Sequence, residues 1–383
     1  MGVEAKLTWA QALAWRMRRQ YLVERAPRGA VVDVVSRLCG AHAQLQSSAE
    51  LTLWARVDGL EPGDVSPALW EERVLVKLWA MRGTLHLLPS AEYGLWQAAL
   101  STTRNYERPS WSRYFGVSEE ELATLLETLP RALEERLLSR DELAGAVADL
   151  AGSEALGDKL RESWGAVLKP ASYRGLLCFG PSDGRNTRFT LPRTWLPPWE
   201  PWEPQDAMLE IARRYLGAYA PATREDLARW WAGISPAQAG KLFKALGDEL
   251  VQVDVEGEER VMLAEHAAEA AVLEPGEPGE VVRLLPAFDQ WVVTAPREHD
   301  AFLAAEYRGR VYRPQAWFSP VLLVNGRMEG IWSSEGSGQR LQVTVEPFRP
   351  LPASVQQAAE AEAERLSTFL RARASQPVED DAS

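Results

Sequence analysis

The stretch VLVKLWAMRGTLHLL, residues 74–88, indicates the fold more clearly than any other part of the chain. Val74–Ala80 is rich in branched and aromatic residues, as β-strands are, and residues 84–88 are similarly apolar. Met81-Arg82-Gly83 lies between them and supplies the turn. The stretch therefore predicts a β-hairpin.

Three helices are predicted ahead of this hairpin. Apolar residues recur at helical spacing over residues 8–21 and 30–43. A third helix is predicted from Ser47, because Ser47 and Glu50 have the spacing of an N-terminal capping box. Three helices followed by a two-stranded hairpin is the order of a winged helix, a variant of the DNA-binding helix-turn-helix.

The same order of elements recurs twice. Predicted helices at 119–136, 140–151 and 158–170 precede a hairpin at 176–191, and helices at 205–218, 223–231 and 235–247 precede a hairpin at 250–263. The predicted fold class is therefore α+β, with three tandem winged-helix units and a β-rich C-terminal part, C-shaped around a channel.

Four domains are predicted from this organisation, with bounds at 1–115, 116–203, 204–266 and 267–383. The second ends in PRTWLPPWEPWEP, whose prolines cannot continue a helix or a central strand and therefore indicate a linker. The fourth has predicted strands at 281–293, 311–323, 327–332 and 340–347, then a helix at 353–373 and a disordered tail.

The chain contains 16 tryptophans, and most have apolar neighbours at helical spacing. This pattern favours core packing over base stacking, and Trp15, Trp54, Trp96 and Trp230 are typical of it. Three more tryptophans lie in the linker and are expected to hold it against a neighbouring domain. They are Trp195, Trp199 and Trp202.

The composition of the 383 residues, 46% hydrophobic and 25% charged, is typical of a soluble globular protein and excludes wholesale disorder. No apolar run predicts a membrane span and no secretory signal is visible, so a cytoplasmic location is expected. Cys39 and Cys178 are predicted to be reduced core thiols. The four histidines are too widely spread for a local metal motif, so neither a metal nor another cofactor is expected.

The net charge of −12 would argue against a nucleic-acid partner if it were evenly spread. Basic residues instead concentrate in 1–60, 73–115 and 159–195, whereas 116–158 and 196–300 are acidic. A basic groove with an acidic back is compatible with phosphate binding, because the field at the groove governs it. Chance clustering produces the same pattern, so charge alone leaves the partner open.

Four short motifs resemble the winged-helix DNA glycosylases of the AlkZ and YcaQ type. They are AQLQ at 43–46, WAMRGTLHLL at 79–88, LLPAFDQW at 284–291 and VNGR at 324–327. Their order and spacing together are specific, and the resemblance extends over about residues 8–370.

The resemblance implies a monofunctional glycosylase, hence a hydrolase, that removes N-alkylated purines from double-stranded DNA. Bulky and crosslinked adducts left by antibiotics are among the family's substrates, which implies a role in DNA repair or self-protection. The family's catalytic motif is Gln-x-Gln in one branch and Gln-x-Asp in the other. This chain has Gln44-Leu45-Gln46, so Gln44 and Gln46 are the predicted catalytic residues.

Two glutamines at this spacing on an extended segment point to the same side, while Leu45 points into the core. An amide is too weak a base to deprotonate water, but it can position a water, and its carbonyl dipole favours developing positive charge on the sugar. A cationic purine leaves without a general acid. Lyase chemistry needs an amine and is not predicted, although Lys77 lies in the nearby hairpin. Solvated loop glutamines remain the alternative interpretation.

Several further residues are candidate DNA contacts: His42, Ser47, Arg82, Thr84, His86, Arg185 and Arg327. Each has a structural alternative, such as a packed histidine, a solvated hairpin face or an exposed turn. Glu50 and Asp289 are predicted supporting residues. Glu50 either orients water or closes the capping box, and Asp289 is expected in a hydrogen bond or an ion pair because it lies in an apolar stretch.

A second function fits the same pattern, since tandem winged helices also form non-enzymatic regulators and architectural proteins. No segment dedicated to ligand binding or dimerisation is evident, and the multi-domain layout suggests a monomer. The two functions differ in whether Gln44 and Gln46 face a concave basic channel or the solvent.

Overall fold

A computed structural model describes residues 3–163, 165–274 and 281–375, and over these residues the chain has a mixed α+β fold. None of the helices in these ranges is long and apolar enough to cross a membrane. Residues 376–383, which make up most of the tail expected to be disordered, lie outside the described residues.

The N-terminal part begins with a strand that the sequence analysis missed. Its elements are β1 (Val3–Leu7), α1 (Trp9–Arg19), α2 (Val31–Arg37), β2 (Ala41–His42), α3 (Gln46–Trp54), α4 (Val65–Trp70), β3 (Leu75–Trp79), β4 (Leu85–Pro89), α5 (Tyr93–Leu100) and α6 (Pro109–Phe115). The hairpin β3–β4 is antiparallel, and β2 pairs with the outer edge of β4.

The next part also contains an antiparallel hairpin whose second strand pairs with a short strand. It consists of α7 (Glu119–Ala132), β5 (Leu138–Ser139), α8 (Arg140–Ala151), α9 (Glu154–Glu162), α10 (Lys169–Tyr173), β6 (Cys178–Asp183), β7 (Asn186–Thr190) and α11 (Pro192–Trp195). Ser118 and Ser139 begin α7 and α8 through capping boxes. The single helix predicted at 158–170 is wrong, since α9 and α10 are separate and Gly165 between them has a left-handed backbone.

The third part forms a three-stranded sheet together with β1 from the N-terminal part. It consists of α12 (Pro204–Tyr219), α13 (Arg224–Trp231), α14 (Pro236–Leu246), β8 (Leu250–Val255), β9 (Glu258–Leu263) and α15 (Ala264–Ala271). β1 pairs in parallel with β8, so the start of the chain adds a strand to the third hairpin.

All three hairpins have one connectivity. In each, the second hairpin strand also pairs with a short segment that follows the first helix of the repeat: β2 with β4, β5 with β7, and Ala222 with Val261 of β9. The shared order is therefore helix, short pairing segment, two helices and hairpin, with the additional helix α10 before the hairpin of the second repeat. In the first repeat these helices are α2, α3 and α4, so α1, which the sequence analysis counted as the first of three, lies outside the repeat.

The C-terminal part is a four-stranded antiparallel sheet in the order β10-β13-β14-β15, with a long helix against it. Its elements are β10 (Val282–Leu285), α16 (Gln290–Thr294), α17 (Arg308–Val311), β11 (Tyr312–Arg313), β12 (Trp317–Phe318), β13 (Val321–Val324), β14 (Arg327–Glu335), β15 (Gln342–Pro347) and α18 (Ala353–Ala374). The strand predicted at 281–293 is wrong beyond Leu285, because Asp289 caps the short helix α16. The strand predicted at 311–323 is broken into β11, β12 and β13.

Tryptophans fill the core, as predicted for Trp15, Trp54, Trp96 and Trp230, all of which are buried. Cys39 and Cys178 are free and buried, and burial raises the pKa of the Cys39 thiol to about 12.

The linker packs against the first part of the chain. The guanidinium of Arg73 lies 3.7 Å from the centre of the Trp195 ring, and Trp199 packs edge-on against Tyr93. Trp202, the third linker tryptophan, is exposed, so its expected packing role is wrong. The linker backbone crosses α5 at Gly94, where an added Cβ would lie 2.0 Å from the carbonyl oxygen of Glu200.

Candidate active site

The Gln44–Gln46 segment lies where a strand becomes a helix. His42, the last residue of β2, pairs with His86 on β4, and the Ala43 N–H donates to the Leu85 carbonyl at 2.7 Å. Strand pairing ends there, and α3 begins at Gln46. The two glutamines therefore occupy the connection between the short strand and the second helix of the first repeat.

The predicted capping box at Ser47 is wrong. α3 begins one residue earlier, and its N-cap is Leu45, whose side chain makes no capping hydrogen bond. Gln46 is thus helical, and the simple alternation expected of an extended Gln-Leu-Gln segment does not hold. Leu45 and both glutamines are half-buried, so each amide combines a packed environment with access to solvent.

The two amides differ in their contacts. The Gln46 Oε1 accepts a hydrogen bond from the Lys77 ammonium at 3.1 Å. The Gln44 amide has no hydrogen-bond partner among the described residues and is open to water or a ligand. Lys77 is the single half-buried residue of β3, and its Nζ also lies 5.8 Å from the centre of the Phe179 ring on β6.

The C-terminal part contacts both β2, the strand that leads to the glutamines, and Arg56, which follows α3. Three consecutive residues, Phe288, Asp289 and Gln290, make the contacts, and we name them the 288–290 segment. The Phe288 ring stacks on His42 with 5.1 Å between ring centres, and the Gln290 amide donates to the Gly40 carbonyl at 2.6 Å.

Asp289 forms an ion pair with Arg56, which lies just after the C-terminal end of α3. Its carboxylate accepts two hydrogen bonds from Arg56, at 2.7 and 2.8 Å, and neither side chain has exposed surface. The same carboxylate accepts from the Trp291 N–H and so caps α16. Asp289 is therefore in the ion pair that its apolar surroundings suggested, and it does not face solvent.

His42 and His86 are not available for the DNA contact predicted for them. The two rings meet edge to face at 5.4 Å and are buried. Burial, helped by the Arg82 charge, lowers the pKa of His42 to about 3 and that of His86 well below its usual range. Both rings are consequently neutral packing groups beneath the site.

The turn of the first hairpin also points inward, which corrects the contact predicted for Arg82. Its guanidinium donates to the Trp230 carbonyl at 2.7 Å and lies 3.3 Å from the Nε2 of His86. Burial lowers the pKa of Arg82 to about 10. The Thr84 hydroxyl is used within the turn, where it donates to the Met81 carbonyl.

Two other candidates are engaged elsewhere. Glu50 accepts from the Gly63 N–H and pairs with Arg373, so its carboxylate joins α3 to α18 instead of orienting water. Arg327 pairs with Glu329 and donates to the Ala301 carbonyl. The Asn-Gly turn before it packs against Leu13 of α1, so the exposed turn considered as the alternative for Arg327 is wrong.

The remaining two candidates are accessible. Ser47 is half-buried in the first turn of α3, and Arg185 is exposed at the turn between β6 and β7. Both stay predicted DNA contacts. Sequence reasoning missed the roles of Phe288 and Gln290, although a glutamine inside an apolar run was a signal that it satisfies a buried backbone group.

Three comparisons with known proteins bear on this site. A sequence profile of AlkZ-like DNA glycosylases matches residues 35–369. An interstrand DNA cross-link repair glycosylase of Streptomyces sahachiroi is 39% identical over 346 residues, which are 89% of this chain and 91% of that protein. The solved structure of Streptomyces sahachiroi DNA glycosylase AlkZ is 37% identical and superposes with a TM-score of 0.86, over 96% of this chain and 98% of that one. The range matched by the profile contains both the glutamines and the 288–290 segment.

Proposed function

The chain belongs to the AlkZ-like DNA glycosylase family, and on this basis we propose that it hydrolyses the N-glycosidic bond of N-alkylated, cationic purines in double-stranded DNA. The relative from Streptomyces sahachiroi is named for interstrand crosslinks, and the proposal extends to purines crosslinked in this way. The observation that carries it is the placement of the Gln44 and Gln46 amides, half-buried at a strand-to-helix junction that the 288–290 segment clamps.

In this proposal the three repeats are winged helices that curve around a DNA channel. Their shared connectivity supports it, because the second hairpin strand pairs with a short strand in the first two repeats and with the single residue Ala222 in the third. Arginines from 1–60, 73–115 and 159–195 line the channel, and the acidic stretches 116–158 and 196–300 face outward. The protein acts as a monomer.

In this mechanism the protein mainly has to position the water and the amide groups at the sugar. A purine alkylated on a ring nitrogen carries its own positive charge and departs as a neutral base, so no general acid is required. Gln44 and Gln46 hold a water in line with the sugar carbon, and an amide carbonyl dipole favours the oxocarbenium charge that develops there. The products are the neutral free base, an abasic site and the proton that the attacking water releases to solvent.

A panel of duplex oligonucleotides tests the proposal, each with one defined alkyl-purine adduct and one panel member with a crosslink. The wild-type protein should release the modified base and leave an alkali-labile abasic site at one or more adducts, and Gln44→Ala should do so far more slowly. Salt-sensitive duplex binding without base release from any member would instead indicate the regulatory or architectural protein considered from the sequence.

A further inference from the structure

A lysine inside the first hairpin contacts one of the two glutamines. β3 is apolar except for Lys77, and the other four residues of the strand are buried. A lysine at such a position loses solvation and side-chain entropy, which a specific partner must offset. One partner that the structure provides is the Gln46 Oε1, 3.1 Å from the Lys77 Nζ.

This contact determines how the Gln46 amide is oriented. An ammonium group has three donors and no acceptor, so the amide atom facing it must be the oxygen. The Nε2 group of Gln46 then faces away from Lys77. A hydrogen bond to a charged donor is roughly twice as strong as a neutral one, which disfavours the flipped amide.

We propose that Lys77 is a positioning residue that holds Gln46 with its N–H₂ group toward the substrate. The inference rests on the proposed function and assigns different tasks to the two amides. Gln46 presents a donor, and Gln44, whose amide has no partner among the described residues, supplies the carbonyl that accepts from the attacking water. Lys77 acts through Gln46 and forms no bond to the DNA.

The test uses Lys77→Met, Lys77→Arg, Gln46→Ala and the Lys77→Met/Gln46→Ala double variant of the full chain. Single-turnover excision at saturating enzyme is measured together with the Kd for the damaged duplex. We expect Lys77→Met to lower the excision rate by roughly 10- to 100-fold, as loss of an outer partner does at other catalytic groups, with little change in Kd. Lys77→Arg should restore most of the rate because it restores a charged donor.

The double variant provides the decisive readout. If Lys77 acts only through Gln46, Lys77→Met should cost nothing further once Gln46 is alanine. Lys241→Met, an exposed lysine on α14, is the matched control and should excise at the wild-type rate. Thermal unfolding of each variant checks that β3 is intact.

Three outcomes would overturn the inference. A change in Kd alone would make Lys77 a phosphate contact. An equal loss of rate in the Gln46→Ala background would make its role independent of the glutamine. A borohydride-trapped covalent complex that disappears in Lys77→Met would make it a nucleophile. Absence of base release by the wild-type protein from every adduct would instead remove the proposed function, so the two failures are distinguishable.

Discussion

His42 and His86 lie beneath the Gln44–Gln46 segment as neutral rings. Each is on a strand of the first sheet, and the Phe288 ring covers His42. Because burial lowers the pKa of His42 to about 3, its ring resists protonation in the folded state through the acidic range. Protonation of His42 should therefore affect the stability of the fold and not the catalytic rate.

Replacing His42 with phenylalanine should make the protein less sensitive to acid. In the unfolded chain His42 binds a proton below about pH 6.5, whereas in the folded protein it does not, so folding stability falls as the pH falls through 6.5. One such histidine contributes a slope of about 1.4 kcal/mol per pH unit below that value. Urea unfolding at pH 8, 6.5, 5.5 and 5 should show a shallower decline for His42→Phe. An identical decline would mean that the ring is protonated in the folded protein.

Sequence reasoning reached the two glutamines but not their surroundings. Gln44 and Gln46 lie on either side of Leu45 in a recognisable motif, whereas the contacts that place them come from Lys77 and from the 288–290 segment, which are remote along the chain. His42 was expected at the DNA surface because it lies two residues before Gln44, and His86 because it alternates with Arg82 and Thr84 on one face of a strand. Alternation does not say which face is covered by another part of the chain.

The helices and hairpins were largely predictable, because each is encoded by local periodicity and by turn residues. Two errors, at β1 and after Leu285, have the same cause, because contacts with residues distant in the sequence decide the conformation there. β1 has too little local signal and forms only by pairing with β8, where Val3 lies opposite Gln252 and Leu7 opposite Val255. The region after Leu285 is apolar enough to suggest a strand, but the ion pair of Asp289 with Arg56 and its cap on α16 decide the conformation there.

Removing the Asp289 charge should destabilise the fold at the junction of α3 and the C-terminal part. Asp289→Asn leaves the Arg56 guanidinium buried without a counter-charge, and breaking a buried pair in this way costs about 3–5 kcal/mol. The measurement is the free energy of unfolding in urea. Glu107→Gln breaks the exposed pair with Arg104 and should leave that free energy nearly unchanged. Equal stability of Asp289→Asn and the wild type would contradict the clamping role assigned to the 288–290 segment.

The molecule combines a net charge of −12 with basic residues gathered in three stretches. If these stretches line one channel, DNA binding depends on local charge and not on the total. The DNA contacts of the individual arginines stay predictions, and of those named from the sequence Arg185 is exposed at a hairpin turn.

Duplex binding should therefore weaken steeply with salt. The logarithm of the association constant is expected to fall linearly with the logarithm of salt concentration, with a slope of about −0.9 for each phosphate contacted. Arg185→Gln should reduce the magnitude of the slope by about one contact. Arg224→Gln, on an acidic stretch, should leave it unchanged. Binding that is insensitive to salt would refute the basic channel.

Single-turnover excision by Gln44→Ala, Gln46→Ala and the double variant tests the central claim most directly. Each single variant should excise roughly 10²- to 10³-fold more slowly than the wild type, with DNA affinity little changed, because each loses one preorganised contact to the reacting groups. The double variant should lose less than the product of the two, since both amides act on one site. Gln356→Ala, exposed on α18, is the control and should match the wild type. Wild-type excision by both single variants would show that the Gln44–Gln46 segment is not the active site.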